Sequence, residues 1–197
     1  VRNGKFGTIM HMKHQTFELF SKKILIIGFG RIGRKLIKKC LGFEMEVYVY
    51  DPFVDKKIIE SFGGKKVSNL DDGLKVTDIL SLTVPLNKET NNMINMKKMK
   101  MMKKTSIIIN ISRGGVVNEK DLNEALEKEI IYGAGLDVFE KEPPGDENPL
   151  LKNKKVLLSP HAATFTKECV SDMAIQTAQN IIDFFDDKLS DSMIVKL

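Results

Sequence analysis

The sequence predicts an α/β chain: a doubly wound, mostly parallel sheet with helices on both faces. Three observations predict it. Short apolar runs of strand length alternate with segments of helical period from about residue 22 to residue 186, and that alternation calls for parallel pairing. A glycine-rich turn, Gly28-Phe29-Gly30-Arg31-Ile32-Gly33, joins the first such run to the first helical pattern. An acid, Asp51, closes the next apolar run, 18 residues past Gly33. At 197 residues and 42% hydrophobic content the chain can bury a full core, and one domain is the natural count.

The elements follow in order. Residues 1–21 have no strong period and read as a lead-in; His11 and His14 lie there without an acid or cysteine at ligand spacing, so no metal site is expected. Residues 24–27 form the first strand. Leu36, Ile37, Cys40 and Leu41 give the helix after it, and residues 47–50 the second strand. Pro52 stops that strand. Residues 56–62 read as a helix ended by Gly63-Gly64, residues 65–67 as a short strand, and residues 70–76 as a brief helix. A strand over 78–84 breaks at Pro85. Met96, Met99 and Met102 recur every three residues and predict the buried stripe of a helix over 94–103. A strand over 106–110 leads to the turn Ser112-Arg113-Gly114-Gly115, then a helix capped by Asn118 with Glu119 and Asp121 in its first turn. Strands over 131–138 and 156–158 flank a proline-rich loop. Residues 166–186 form a long amphipathic helix with Val170, Met173, Ile175, Ala178, Ile181, Ile182 and Phe185 as apolar positions.

The glycine turn has the context that a dinucleotide site of the Rossmann type needs: a strand before, a helix after, and an acid at the next strand tip. Gly28 permits the tight turn, Gly30 lets the backbone approach a pyrophosphate, and Gly33 lets helix and sheet pack closely. The helix N-terminus offers unpaired N–H groups and a positive dipole end to the phosphates. Asp51 would accept hydrogen bonds from the ribose hydroxyls. Its carboxylate repels a 2′-phosphate, which favours NAD as cofactor over NADP.

Charge and cysteines exclude other classes. The net charge of +5 comes from scattered lysines, and Arg2, Arg31, Arg34 and Arg113 are the only arginines. The densest basic run, 97–104, lacks arginine and interleaved aromatics, so a nucleic-acid partner is not expected. Cys40 and Cys169 have no ligand spacing and read as small core residues rather than a disulfide. No apolar stretch has membrane length and no signal peptide is visible, so a reduced, cytoplasmic setting is expected.

Three residues stand in loops after strands at the edge where ligands bind in such sheets: Arg113, Glu142 and His161. Together they suit hydride transfer to a 2-keto acid. An arginine fork can pair with the carboxylate and polarise the keto oxygen. A histidine can give a proton to the developing alkoxide or take one in reverse. A glutamate beside it stabilises the imidazolium and fixes its orientation.

The stretches GFGRIGRKL, VPLNKETNNMIN, INISRGGVVNEKDLNEAL, GAGLDVFEKEPP and LLSPHAATFT, in this order, resemble the D-isomer-specific 2-hydroxyacid dehydrogenase family, over about residues 6–189. That family includes phosphoglycerate, glycerate, D-lactate and formate dehydrogenases and glyoxylate/hydroxypyruvate reductases. The resemblance implies Arg113 in SRGG, Glu142 before Pro143 (with Glu140 as a near miss) and His161 in PH as the catalytic set. It implies cofactor contacts at Arg31 and Ile32, Asp51, Thr83, Val84, Pro85, Thr90, Ile111, Ser112, Arg113, Asp137 and His161, Ala162 and Ala163, with Asp137 reaching the nicotinamide carboxamide. The implied substrates are 3-phosphoglycerate, glycerate/hydroxypyruvate or glyoxylate, and the implied assembly is a homodimer. Corepressors built on the same family fold imply an alternative, an NAD-sensing module that binds a partner without turnover. Two departures are local: Met102-Lys103-Lys104-Thr105 replaces the usual Met-Lys-Pro-Gly, and alanines follow His161 where many members have a glycine. The third is larger. Family members begin with a separate substrate-binding domain, whereas 27 residues precede Gly28 here. Residues 1–197 are therefore expected to be the dinucleotide-binding domain, with 1–21 as the crossover into it and the substrate domain absent from the chain.

Overall fold

The structure, a computed structural model, describes residues 17–194. Seven strands form one parallel sheet: β1 (Lys23–Ile27), β2 (Glu46–Tyr50), β3 (Lys65–Lys66), β4 (Ile79–Leu82), β5 (Ile107–Asn110), β6 (Gly133–Leu136) and β7 (Val156–Leu158). Their order is β3-β2-β1-β4-β5-β6-β7. The order reverses between β1 and β4, and the crevice above their carboxyl ends is where ligands bind in open α/β sheets. The helices are α1 (Arg31–Gly42), α2 (Lys56–Ser61), α3 (Leu70–Val76), α4 (Met96–Met99), α5 (Glu119–Glu127) and α6 (Lys167–Phe185).

Alternation along β1 divides the core. Ile24 and Ile26 face Val47, Val49, Ile37 and Ile59, the side covered by α1 and α2. Leu25 and Ile27 face Leu74, Leu80, Leu82, Ile108 and Leu122, the side covered by α3, α4 and α5. The two faces are not equally covered throughout. Ile107 and Ile109 of β5, Gly133 and Gly135 of β6 and Leu157 of β7 line an open cleft of about 880 Å³, with Lys104, Lys128, Lys154 and Lys155 at its rim. Leu157 is 79% exposed.

Several boundaries differ from expectation. The methionine helix shrinks to Met96–Met99, because Ile94 bridges to Val117 and residues 100–105 run on as turns; Met99 and Met102 are buried all the same. The strand expected over 131–138 keeps Gly133–Leu136, its paired register with β5. Cys40 is a buried core thiol, but Cys169 is only half-buried. It rides on α6, which stands away from the sheet with no residue buried. The expected apolar positions of α6 are therefore in place on a helix that this chain does not cover; Phe185 is 79% exposed. Of the lead-in, Phe17 packs its ring edge-on against Tyr132 at 5.0 Å between centroids. His11 and His14 lie outside the described residues.

Candidate active site

The glycine turn is built by close contacts that leave no room for side chains at two of its three glycines. Gly28 has φ +92°, and a Cβ there would sit 2.7 Å from the Thr83 carbonyl oxygen. A Cβ on Gly33 would overlap the Gly28 carbonyl, so the first turn of α1 lies directly on the strand end. Thr83 buttresses the turn, its hydroxyl donating to the Gly28 carbonyl at 2.8 Å and to Ile27 at 3.0 Å. Gly30 differs: a Cβ there would meet nothing within 4 Å. Gly30 also caps α1 without a side-chain hydrogen bond. Open space in front of an uncapped helix N-terminus is what a pyrophosphate requires, so the residues present fit a dinucleotide. Arg31 and Ile32, both exposed, flank that opening.

Asp51 ties the second strand tip to the same turn. Oδ2 accepts from the Phe29 N–H at 2.8 Å, and Oδ1 accepts from Phe53 and Val54 at 2.9 and 3.2 Å. An ionised carboxylate has about four acceptor sites, so one remains for a ligand hydroxyl. Opposite, Val84 and Pro85 continue past β4, and the buried Thr90 hydroxyl closes that loop onto the Pro85 carbonyl at 2.7 Å.

The second half of the site lies after β5, β6 and β7. His161 Nδ1 is 2.7 Å from Glu142 Oε2, with their side chains 51% and 37% exposed. Glu142 Oε1 accepts from the Phe139 N–H at 3.0 Å. The hydrogen bond to His161, then that to Phe139, holds the Glu142 carboxyl below its ordinary range; the charges of His161 and Arg113 add to this. His161 itself sits at φ +54°, the left-handed region that a non-glycine residue enters at a cost of about 1–2 kcal/mol. Asp137 holds it there. Buried below the loop, its carboxylate accepts from Ala162 at 2.8 Å and Ala163 at 2.9 Å. Burial pushes the Asp137 carboxyl up, but hydrogen bonds from Ser159, Ala162 and Ala163 outweigh it and leave the group below its usual value.

Arg113 is exposed after the Ile111-Ser112 turn, with its guanidinium donating to the Ser112 carbonyl at 2.7 Å. The turn is shaped by a residue the sequence reading passed over. Asn110 accepts from the Ser112 N–H and hydroxyl at 3.0 and 2.8 Å and donates to the Arg113 carbonyl at 3.0 Å. An Asn at a strand end three residues before the arginine is the signal that could have found it. Glu119 and Glu140 were also passed over as a pair, and nothing in their spacing of 21 residues announces the contact between them. Among the described residues, no group of His, Cys, Asp and Glu could hold a metal ion, and no helix is long and apolar enough to cross a membrane.

Residues 1–163 match the family model of the D-isomer specific 2-hydroxyacid dehydrogenase NAD binding domain. The chain belongs to the D-isomer specific 2-hydroxyacid dehydrogenase family. Relatives of this dehydrogenase domain include a glyoxylate reductase of Korarchaeum cryptofilum, 40% identical over 93% of this chain and 55% of that protein. A D-3-phosphoglycerate dehydrogenase of Methanocaldococcus jannaschii is 37% identical over 96% of this chain and 36% of its own length. The crystal structure of a D-lactate dehydrogenase with NAD+ from Lactobacillus jensenii superposes with a TM-score of 0.83 at 31% identity, over 92% of this chain and 58% of that one. The dehydrogenase domain seen here thus spans between about a third and somewhat over half of these relatives' lengths.

Proposed function

We propose that this domain serves an NAD-linked oxidoreductase that interconverts a D-2-hydroxy acid and its 2-keto acid, of the 3-phosphoglycerate, glycerate/hydroxypyruvate or glyoxylate class. The observation that carries the reading is the His161–Glu142 pair at 2.7 Å, on the same sheet edge as the glycine turn. Gly28, Gly30, Gly33 and the first turn of α1 would hold the pyrophosphate, and Asp51 the adenosine ribose. The loops at Thr83 to Pro85, at Thr90 and at Ile111 to Arg113 would line the rest of the cofactor's path. When bound, the nicotinamide supplies or takes the hydride.

The chain's own residues would do the remainder. Nδ1 of His161 faces a carboxylate, so it carries the ring hydrogen there and leaves Nε2 to exchange the proton with the substrate oxygen. In the reductive direction Nε2 gives that proton to the oxygen as the keto carbon is reduced. Glu142 keeps the ring oriented and balances its positive charge. Arg113 would pair with the substrate carboxylate and polarise the carbonyl. Asp137 would support this by fixing the His161 loop, and its remaining acceptor capacity suits a contact to the nicotinamide carboxamide.

The uncovered face of β5 to β7 and the exposed apolar side of α6 support a homodimer. Two free thiols, one of them half-buried, support a reducing, cytoplasmic setting. The test is NADH oxidation with a panel of phosphohydroxypyruvate, hydroxypyruvate, glyoxylate and pyruvate, with NADH binding measured in the same samples. We expect NADH to bind, and binding to fail on Asp51→Arg; unchanged affinity would overturn the cofactor assignment. Turnover that survives His161→Ala would overturn the mechanism, since a proton donor of this kind contributes about 10²–10⁴-fold.

A further inference from the structure

The loop that carries Glu142 is gripped from a helix that carries none of the expected chemistry. Glu119 opens α5, six residues after Arg113. Its Oε1 accepts from the Glu140 N–H at 2.5 Å, and Glu140 Oε1 accepts in return from the Glu119 N–H at 3.0 Å. Glu119 Oε2 accepts from the Asn148 side-chain amide at 2.7 Å, which ties in the far end of the same loop. On the other side of the 139–140 peptide, Gly114 lies so close that a Cβ there would overlap the Phe139 carbonyl. The next N–H along, that of Phe139, is held by Glu142 itself. One peptide unit is thus held at its N–H by Glu119 and packed at its carbonyl against Gly114, next to the N–H that anchors the Glu142 carboxylate.

Glu119 is also half-buried, unusual for an acid that opens a surface helix. Burial pushes its carboxyl up; the Glu140 N–H and Asn148 pull it down, and the charges of Glu140 and Glu142 push it up again. The group is retained against that cost in a place where its two hydrogen bonds meet a catalytic loop.

We infer that Glu119 is a positioning residue for the Glu142–His161 pair, coupling the Arg113 turn to the Glu142 loop so that the pair keeps its geometry. The role of the pair in proton transfer rests on the reading above; the coupling of Glu119 to the pair does not. Loss of the Glu119 side chain frees the 139–140 peptide, lets the 139–142 turn move, and lengthens the contact between Glu142 and His161. A displacement of about 1 Å at such a group can cost about 100-fold in rate.

The experiment is proton NMR of the folded chain, reading the low-field resonance of the His161 Nδ1 proton in its hydrogen bond to Glu142. His161→Asn assigns the signal and Glu142→Gln gives the limit without the carboxylate. Glu119→Ala should broaden or remove the resonance with the thermal midpoint of the chain still defined. Glu119→Gln, which keeps an acceptor for the Glu140 N–H, should retain it. Glu140→Ala removes the return hydrogen bond from an exposed side chain, and should weaken the signal partially; it serves in place of Glu119→Ala if that variant fails to fold. A resonance unchanged in the folded Glu119→Ala or, failing that, Glu140→Ala protein overturns the inference. The readout needs neither cofactor nor turnover. A failure of NADH oxidation therefore bears on the proposed function alone. Where turnover is measured, Glu119→Ala should lower kcat about tenfold or more with little change in KM, and Glu119→Gln should recover most of it.

Discussion

Around β1 and β2 the strand tips are closed by a tight glycine turn and one carboxylate. Gly28 is wedged against Thr83, Asp51 accepts three N–H groups, and the space left over lies in front of α1 at Gly30. Around β5, β6 and β7 the tips are held by side chains. Asn110 shapes the Arg113 turn, Glu119 grips the Glu142 loop, and Asp137 holds the His161 loop in a left-handed conformation. The glycine-turn half is set largely by sterics that few residues can alter, because a glycine's missing Cβ is what makes the room. The half after β5, β6 and β7 is held by a set of carboxylates and amides, each replaceable, whose charges also tune the groups they hold. Steric order of the first kind carries no charge; order of the second kind does.

The sharpest way to break that contrast is Gly28→Val. A β-branched residue at φ +92° with its Cβ 2.7 Å from a carbonyl oxygen should cost about 3 kcal/mol or more and abolish measurable NADH binding. Thermal melts with calorimetric titration check both, and a variant that binds normally would mean the turn is not sterically set. Asp137→Ala should come next. It leaves the Ala162 and Ala163 N–H groups without their acceptor and His161 without the support for its backbone, at about 2 kcal/mol. Denaturant unfolding should show that loss while NADH affinity, which the proposed function assigns mainly to the glycine-turn half, falls much less.

The smallest effect concerns Glu142, and its sign follows from the depressed carboxyl. A carboxyl held below its ordinary value stabilises the fold above the ordinary carboxylate range, and the contribution is lost as pH falls through the depressed value. Glu142→Gln has no such dependence. Its stability should decline less steeply than the wild type's below about pH 4.5, with a difference under about 1 kcal/mol for a pair this exposed. Parallel slopes from denaturant midpoints across that range would show that the pair adds nothing to the fold.

The same contrast explains what could be read from the sequence. The glycine-turn half is local: a strand, a glycine turn, a helix and an acid at the next tip fall within residues 23–51, and each follows from a short-range rule. The parallel pairing and most helices came with it, since alternation dictates parallel pairing; the strand order did not. Arg113, Glu142 and His161 could be named by residue type and loop position, and the structure brings Glu142 and His161 into contact. What escaped was long-range. The reciprocal hydrogen bonds of Glu119 and Glu140 join residues with no shared pattern. The methionine period marked burial correctly at Met99 and Met102 but overstated the helix, because turns can present side chains to a core as well as a helix can. Cys169 reads as a core residue from sequence but is only half-buried, because the helical period says which side of α6 is apolar and nothing about what lies against it.

The two outermost strands are also the shortest. β3 has two residues, Lys65 and Lys66, and β7 has three, entered through Lys154 and Lys155. An incoming polypeptide could make only two or three backbone pairs at either margin, and would have to bring its chain past ammonium groups to do so. For a protein that leaves Leu157 and the flank of α6 bare, this matters to its colloidal behaviour. Growth by strand addition, the route to fibrils, is disfavoured at both ends of the described sheet. The apolar surface left bare among the described residues lies on a sheet face and a helix flank, where contacts are made by side chains.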